Sequence, residues 1–295
     1  MKKVRKLNPQ GLSRFSKDLM EVMEASPGHV FVSVDLASGE PTATSHYSQD
    51  RNYMNASFNM VGKEPYYDEH GVLQIDDIYL MGASRSPIAK DEVRKLFESE
   101  IDGLPFPKAW LKSPELKEYI QKKICKFRPL HKSLILGLGY AMGPKKMVSS
   151  AYEKGHILSL KNAKLFFKAY WEEIFKDLKI LSNKLEAKAK KDGYLVNEFG
   201  YRLFPEPSYK SLNYFIQSTI SGIVNALSLI FFTKATYARF VTVIHDELIF
   251  EIPEDKIEQA KLDMKESVDY LNQQLKWTVN IRTGFVVGKN LYEAK

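Results

Sequence analysis

Phe240-Val241-Thr242-Val243-Ile244-His245-Asp246-Glu247-Leu248-Ile249-Phe250-Glu251-Ile252 decides how this chain is read. Two runs of β-branched and aromatic residues flank a short polar triplet. That is the pattern of two strands joined by a tight turn at His245-Asp246-Glu247. Aspartate is common in turns because its side chain bonds the nearby backbone. A carboxylate at the end of apolar strands is nevertheless costly unless it is solvated or paired. Phe31-Val32-Ser33-Val34 reads as a second strand of this kind, ending at Asp35. Taken singly, each aspartate reads first as an ordinary turn residue. Brought together, the two would repel, and a divalent cation would remove the repulsion. Mg²⁺ takes carboxylate oxygens plus substrate phosphates. Two such ions about 3.5–4 Å apart can activate a hydroxyl and stabilise a leaving pyrophosphate.

Helical periods surround this hairpin. Ile257, Ala260, Met264, Val268, Leu271 and Leu275 mark an amphipathic helix after it, and Leu212 to Ala235 another before it. Leu165, Ala169, Ile174, Leu178, Leu181 and Leu185 recur at helical spacing between Lys161 and Lys191. They predict one long helix or two shorter ones, ended by Asp192-Gly193. A turn at Glu198-Phe199-Gly200 separates two short strand-like runs. Residues 114–127 are basic and helical in pattern, and Pro129 fits the first turn of a helix running towards Tyr140. Residues 51–115 are punctuated by Gly, Pro and Asp with no dominant period. Strands and helices mix without a regular βαβ repeat, so the predicted class is α+β rather than doubly wound.

The 295 residues can bury one sizeable core, or two modest domains sharing one. About 44% are apolar and 27% charged, an ordinary globular balance. The net charge of +7 suits an anionic partner or a scattered basic surface. The one cysteine, Cys125, excludes an internal disulfide framework or thiolate metal site and fits a cytoplasmic setting. Met1-Lys2-Lys3-Val4-Arg5-Lys6 is basic with no apolar run behind it, unlike a signal peptide. The most apolar stretch, Ile223 to Phe232, is interrupted by Asn225 and Ser228 and is short for a membrane span.

Several segments, in order, resemble the motifs of family A DNA polymerases. Val243-Ile244-His245-Asp246-Glu247 is similar to the third catalytic motif, which ends in His-Asp-Glu. Asp35-Leu36-Ala37-Ser38-Gly39-Glu40 resembles the first motif, an Asp followed five residues later by Glu. Ser45-His46-Tyr47-Ser48-Gln49-Asp50 matches its continuation. Arg128, Lys132, Gly137 and Tyr140 match the second motif in type and interval. Gly200-Tyr201-Arg202-Leu203 resembles the family's Gly-Arg-Arg-Leu turn, and Asn213 and Gln217 an Asn and a Gln four apart on a later helix. Asn8-Pro9-Gln10-Gly11-Leu12 is similar to the segment that opens the palm, and Gly288-Lys289-Asn290-Leu291 falls where family members finish. The resemblance spans nearly the whole chain.

It implies a right-hand polymerase core. An antiparallel sheet with helices forms a palm from residues 1–45 and 218–295, and residues 46–217 form helical fingers. The implied reaction is template-directed transfer of dNTPs to a primer 3′ end with two Mg²⁺ ions. Asp35 and Asp246 would hold the metals, helped by the Leu36 carbonyl. An incoming triphosphate carries about four negative charges and must be held in line with the primer hydroxyl. The resemblance assigns Arg128 and Lys132 to those phosphates, with Lys132 catalytic alongside the two aspartates. Leu136 would line the dNTP site, Tyr140 would face base and template, and Glu40 would close over the sugar against a 2′-hydroxyl. His245 and Glu247 would position the primer end, and Asn213, Gln217 and Arg202 would contact DNA. By spacing alone, Lys132, Leu136 and Tyr140 share one helix face with Arg128 at its start. A solvated basic helix with Tyr140 as a core aromatic has the same spacing.

The sequence also departs from the family. Leu136 stands where Phe or Tyr is usual, Ala141 where Gly is, and Thr42 where Arg is. The segment between Asp35 and Lys132 is long, and residues 52–74 read as an insertion. These departures bear on nucleotide selectivity and rate rather than reaction class. The few residues before Asp35 imply that neither thumb nor exonuclease domain is carried here. A separate polypeptide would then supply them to the primer–template, with no membrane involved and a phage as the fitting setting. Rival readings are a single-subunit RNA polymerase, against which Glu40 and Glu247 argue, and an inactive DNA-binding subunit, against which Asp35, Asp246 and Lys132 argue.

Overall fold

The computed structural model describes residues 17–58, 66–67, 73–74, 77–101, 104–105, 127–153 and 155–294. The chain divides into two units, Met1–Glu40 with Gln217–Lys295, and Pro41–Ile216. The predicted mixture of helix and sheet is present.

The first unit is built on a four-stranded antiparallel sheet ordered Val286–Gly288, His29–Asp35, Glu247–Pro253, Arg239–Ile244. His29–Asp35 is central, and its Val30 to Val34 run is buried on both faces. One face carries Phe31 and Ile249, packed with Ile244 against Met20, Leu291 and Ala294. On the other, Phe250 lies with its ring 4.6 Å from that of Phe231. The Ile257–Leu275 helix appears as predicted, burying Ala260, Met264, Val268 and Leu271. Tyr237 Oη donates to Asp263 Oδ2 at 2.6 Å, tying that helix to the connection that follows the Ser211–Lys234 helix.

That last helix follows the predicted span from Leu212 to Ala235 to within a residue at each end. Residues 208–234 are long and apolar enough, by length and composition, to cross a membrane, although the Ile223–Phe232 stretch looked too short. Helix formation continues through Asn225 and Ser228 because each keeps its main-chain bonds, and Ser228 Oγ bonds back to the Val224 carbonyl at 2.7 Å. Leu212, Ile216, Ile220, Ile223, Leu227 and Phe231 are all buried. Their spacing of three and four is that of a core-facing stripe.

The second unit is mainly helical. The periodic stretch from Lys161 to Lys191 becomes two helices, Leu160–Ala169 and Lys176–Asp192, separated by a wide turn at Tyr170–Ile174. Outside partners explain the break. Asn52 Nδ2 donates to the Ile174 carbonyl. The Asp50 Oδ2 accepts the N–H groups of Asp177 and Leu178 at 3.2 and 3.4 Å. Its Oδ1 accepts those of Asn52 and Tyr53 at 3.0 and 3.3 Å. One buried carboxylate therefore caps two helix starts, that of Arg51–Phe58 and that of Lys176–Asp192. Tyr53, Tyr170 and Phe175 pack around this junction, with Phe175 4.6 and 4.8 Å from the two tyrosine rings. Gly193, at φ 79°, ends the second helix.

Residues 51–115 hold more helix than their punctuation suggested: Arg51–Phe58, Ile78–Arg85 and Lys90–Phe97. Gly82 is buried, and a Cβ there would meet Ile135 Cδ1 at 2.5 Å. That close approach seats the Ile78–Arg85 helix against the Phe127–Gly139 helix. Of the expected insertion at 52–74, residues 52–58 belong to a helix and Tyr66–Tyr67 pairs with Leu73–Gln74. Its other residues lie outside the described residues, as do residues 8–12 and 114–126.

Candidate catalytic site

Two constellations carry the candidate chemistry, one in each unit. In the first unit, the His29–Asp35 and Glu247–Pro253 strands run antiparallel in a register that places Asp35 opposite Glu247. The Leu36 N–H donates to the Asp246 carbonyl at 3.3 Å. Asp35 and Asp246 therefore stand at the same end of the sheet on adjacent strands. Asp35 is exposed and Asp246 half-buried, so both carboxylates can be solvated.

The turn is tighter than the sequence suggested. It comprises His245 and Asp246 only, because Ile244 and Glu247 pair as strand residues. His245 has φ 59°, in the left-handed region where a two-residue hairpin usually places Gly. Glu247 is thus a strand residue, on the same face as Asp35. Ser33 Oγ donates to Glu247 Oε1 at 2.5 Å. Ser33 is 3% exposed. Nothing in its own pattern marks it, but strand alternation from Asp35 could have found it.

The backbone also sets Leu36. The N–H of Ala37 bonds the Arg282 carbonyl at 2.8 Å and the N–H of Gly284 bonds the Asp35 carbonyl at 2.8 Å. An extended residue projects its N–H and C=O to one side. The Leu36 carbonyl therefore faces the same side as its N–H, towards the Asp246 turn. These oxygens, two carboxylate and one carbonyl, are hard donors of the kind Mg²⁺ takes. Among the described residues there is no group of three His, Cys, Asp or Glu side chains that could hold a metal. The donor set suits an ion that takes its remaining ligands from water or phosphate.

Glu40 lies in the first turn of the Gly39–Ser48 helix. Ser38, at φ 56°, reverses the chain into it. A Cβ on Gly39 would come within 3.2 Å of Leu36 and 3.3 Å of Ile220, so this turn lies tightly on the Ser211–Lys234 helix. There Gln217 Nε2 donates to Glu40 Oε1. The structure thus brings together two residues predicted separately. Asn213 sits one turn before Gln217 on the same helix, half-buried.

In the second unit, the Phe127–Gly139 helix presents Arg128, Lys132 and Leu136 at successive turns, followed by Tyr140. Lys132 is exposed and Arg128 and Leu136 partly so. Tyr140 is 42% exposed, which excludes the core-aromatic reading. The helix ends in a Schellman arrangement. Met142 N–H bonds the Gly137 carbonyl at 2.8 Å, and Ala141 N–H that of Leu138 at 2.9 Å. Ala141 has φ 58°, a conformation that favours Gly. Its departure from the family pattern thus has a conformational cost.

Arg128 is not alone on its face. Its Nε donates to Asp77 Oδ2 at 2.6 Å. Its Cζ lies 5.1 Å from the ring centre of Tyr79, and Lys132 Nζ lies 5.7 Å from the same centre. Asp77 before Ile78 is a helix-start signal by type, but its link to Arg128 spans 51 positions and is not legible locally. Elsewhere in the unit, exposed Arg202 lies with Cζ 5.3 Å from the Tyr194 ring centre, on the Leu195–Val196 and Arg202–Leu203 hairpin.

The fold matches the POL domain of Pol1 from M. smegmatis, solved in complex with DNA primer-template and dNTP. The TM-score is 0.67 at 18% identity, over 97% of this chain and 45% of that one. The chain therefore shares the fold of that domain. Residues 114–293 match the profile of DNA polymerase family A, and the chain belongs to that family. It is also similar to the DNA polymerase of Mycobacterium phage L5, 36% identical over 112 residues, covering 37% of this chain and 18% of that protein. The DNA polymerase of Mycobacterium phage D29 is 40% identical over 78 residues, covering 25% and 13%. The chain thus spans less than half the length of each of these three.

Proposed function

We propose that this chain is the catalytic core of a template-directed DNA polymerase, adding deoxynucleotides to a primer 3′ end. The observation that carries this reading is the placement of Asp35 and Asp246 at one end of adjacent antiparallel strands. The first unit would serve as the palm and the second as the fingers. Asp35 and Asp246, with the Leu36 carbonyl, would hold Mg²⁺, which supplies charge that acidifies a primer hydroxyl and neutralises a departing pyrophosphate when bound.

The remaining roles belong to side chains. Glu247, fixed by Ser33, and His245, on the strained turn, would position the primer end beside the two aspartates. Glu40, held by Gln217, would stand against the sugar edge where a 2′-hydroxyl would lie. Lys132 and Arg128 would receive the triphosphate. Leu136 and Tyr140, one and two turns further along, would line the sugar and base. Asn213, Gln217 and Arg202 would contact DNA through amide and guanidinium hydrogen bonds.

The test is primer extension by the purified chain with Mg²⁺, in parallel with Asp246→Ala and with ribonucleotides in place of deoxynucleotides. Template-directed addition of deoxynucleotides that Asp246→Ala abolishes supports the reading. Binding of primer–template without any extension overturns it in favour of a non-catalytic subunit. Preferential use of ribonucleotides overturns it in favour of an RNA polymerase.

A further inference from the structure

The basic face of the Phe127–Gly139 helix is completed by a neighbouring element. Asp77 uses both oxygens of one carboxylate. Oδ1 accepts the N–H groups of Tyr79 and Leu80, each at 3.0 Å, and so caps the Ile78–Arg85 helix. Oδ2 accepts from Arg128 Nε at 2.6 Å. The Asp77 side chain is 4% exposed and that of Arg128 22%. A carboxylate so buried is costly unless its charge is matched and its lone pairs are bonded, and here both conditions hold. A guanidinium is a planar fork of five donors. Gripping it through Nε fixes its plane, and its terminal Nη pair is the edge that can meet a second anion end-on. The Tyr79 ring lies against Arg128 and Lys132 together.

We propose that Asp77 is a positioning residue for the triphosphate of an incoming nucleotide. It sets the plane of the Arg128 guanidinium, and Tyr79 is the surface on which Arg128 and Lys132 are held before the phosphates arrive. A charge held in place needs no reorganisation when its partner binds, so the effect falls on nucleotide affinity. This inference rests on the polymerase reading above.

A double-mutant cycle tests it, with wild type, Asp77→Asn, Arg128→Ala and the double variant. Asparagine keeps a cap acceptor for Tyr79 and Leu80 and removes the charge facing Arg128. Asp77→Ser, another strong cap without charge, serves in the same comparison if the asparagine variant does not fold. Two quantities are measured: KM for dNTP in primer extension, and Kd for inorganic tripolyphosphate by calorimetry. Asp77→Asn is expected to raise KM about tenfold, the size of one charge-assisted hydrogen bond, with a smaller change in kcat. In the Arg128→Ala background the same change should shift KM less than about twofold, because the partner is already gone. An unchanged KM, or an equal factor in both backgrounds, overturns the inference. Should the wild type fail to extend primers, the polymerase reading falls. The tripolyphosphate Kd then decides the Asp77 role separately: Arg128-dependent weakening upholds it, and no weakening overturns it.

Discussion

Ser33 Oγ donates to Glu247 Oε1 across the two strands that end in the candidate catalytic aspartates. A buried hydroxyl therefore fixes a carboxylate that shares a sheet face with Asp35. Removing it by Ser33→Ala should cost about 1 kcal/mol of stability, the net worth of a hydrogen bond. It should also slow primer extension by about tenfold through loss of positioning. Urea unfolding and single-turnover extension measure the two effects. A stability loss with an unchanged rate would limit the bond to a structural role.

Asp35→Ala and Asp246→Ala should each abolish extension while primer–template binding is largely kept. Losing either carboxylate removes an oxygen donor from the shared end of the sheet. The expected fall is at least about a thousandfold in rate. Near-normal extension by either variant would sink their assignment as metal ligands.

Ala141→Gly should stabilise the chain. An L-residue in the left-handed region costs roughly 1–2 kcal/mol, and glycine returns part of that gain through its freer unfolded state. The net expectation is about 0.5–1 kcal/mol, read as a higher urea midpoint at an unchanged slope. A lower midpoint would show that the Ala141 methyl makes packing that outweighs the conformational cost.

Asp50→Asn should cost about 1–3 kcal/mol, because an amide cannot accept all four N–H groups that the carboxylate holds. Its pH dependence has a definite sign. Burial raises the Asp50 pKa above its ordinary value, outweighing the opposing N–H bonds from Tyr53, Asn52 and Leu178. The folded state then binds the proton more tightly than the unfolded state does. The contribution is fully present below the unfolded pKa and is lost as pH rises through the folded one. The stability gap between wild type and Asp50→Asn should therefore shrink with rising pH across that window. A widening gap in urea melts would mean that the N–H donors outweigh burial.

The parts legible in the sequence were those set by short-range pattern. The hairpin at Asp246, the strand to Asp35 and the helix over Ile257–Leu275 follow from alternation and period, which register and packing preserve. The Phe127–Gly139 face follows from spacing of four. What stayed hidden depends on partners remote in sequence. Nothing near Ile174 signals a break, because Asn52 and Asp50 impose it. Nothing near Arg128 signals Asp77. Ser33 reads as a filler in an apolar strand until the register places it beside Glu247. The helices in residues 78–97 were masked by Gly82 and Pro87, although the Gly82 position is required by the approach of Ile135.

The double cap at Asp50 bears on the order in which the second unit assembles during synthesis. One Asp50 oxygen finds its donors two and three residues downstream, at Asn52 and Tyr53. The other waits for Asp177, 127 positions later. On a chain emerging from a ribosome, the Arg51–Phe58 turn can close early around a half-used carboxylate. The second half then serves as a fixed acceptor on which the start of the Lys176–Asp192 helix is caught. The junction is complete only when two segments 127 positions apart are both in place.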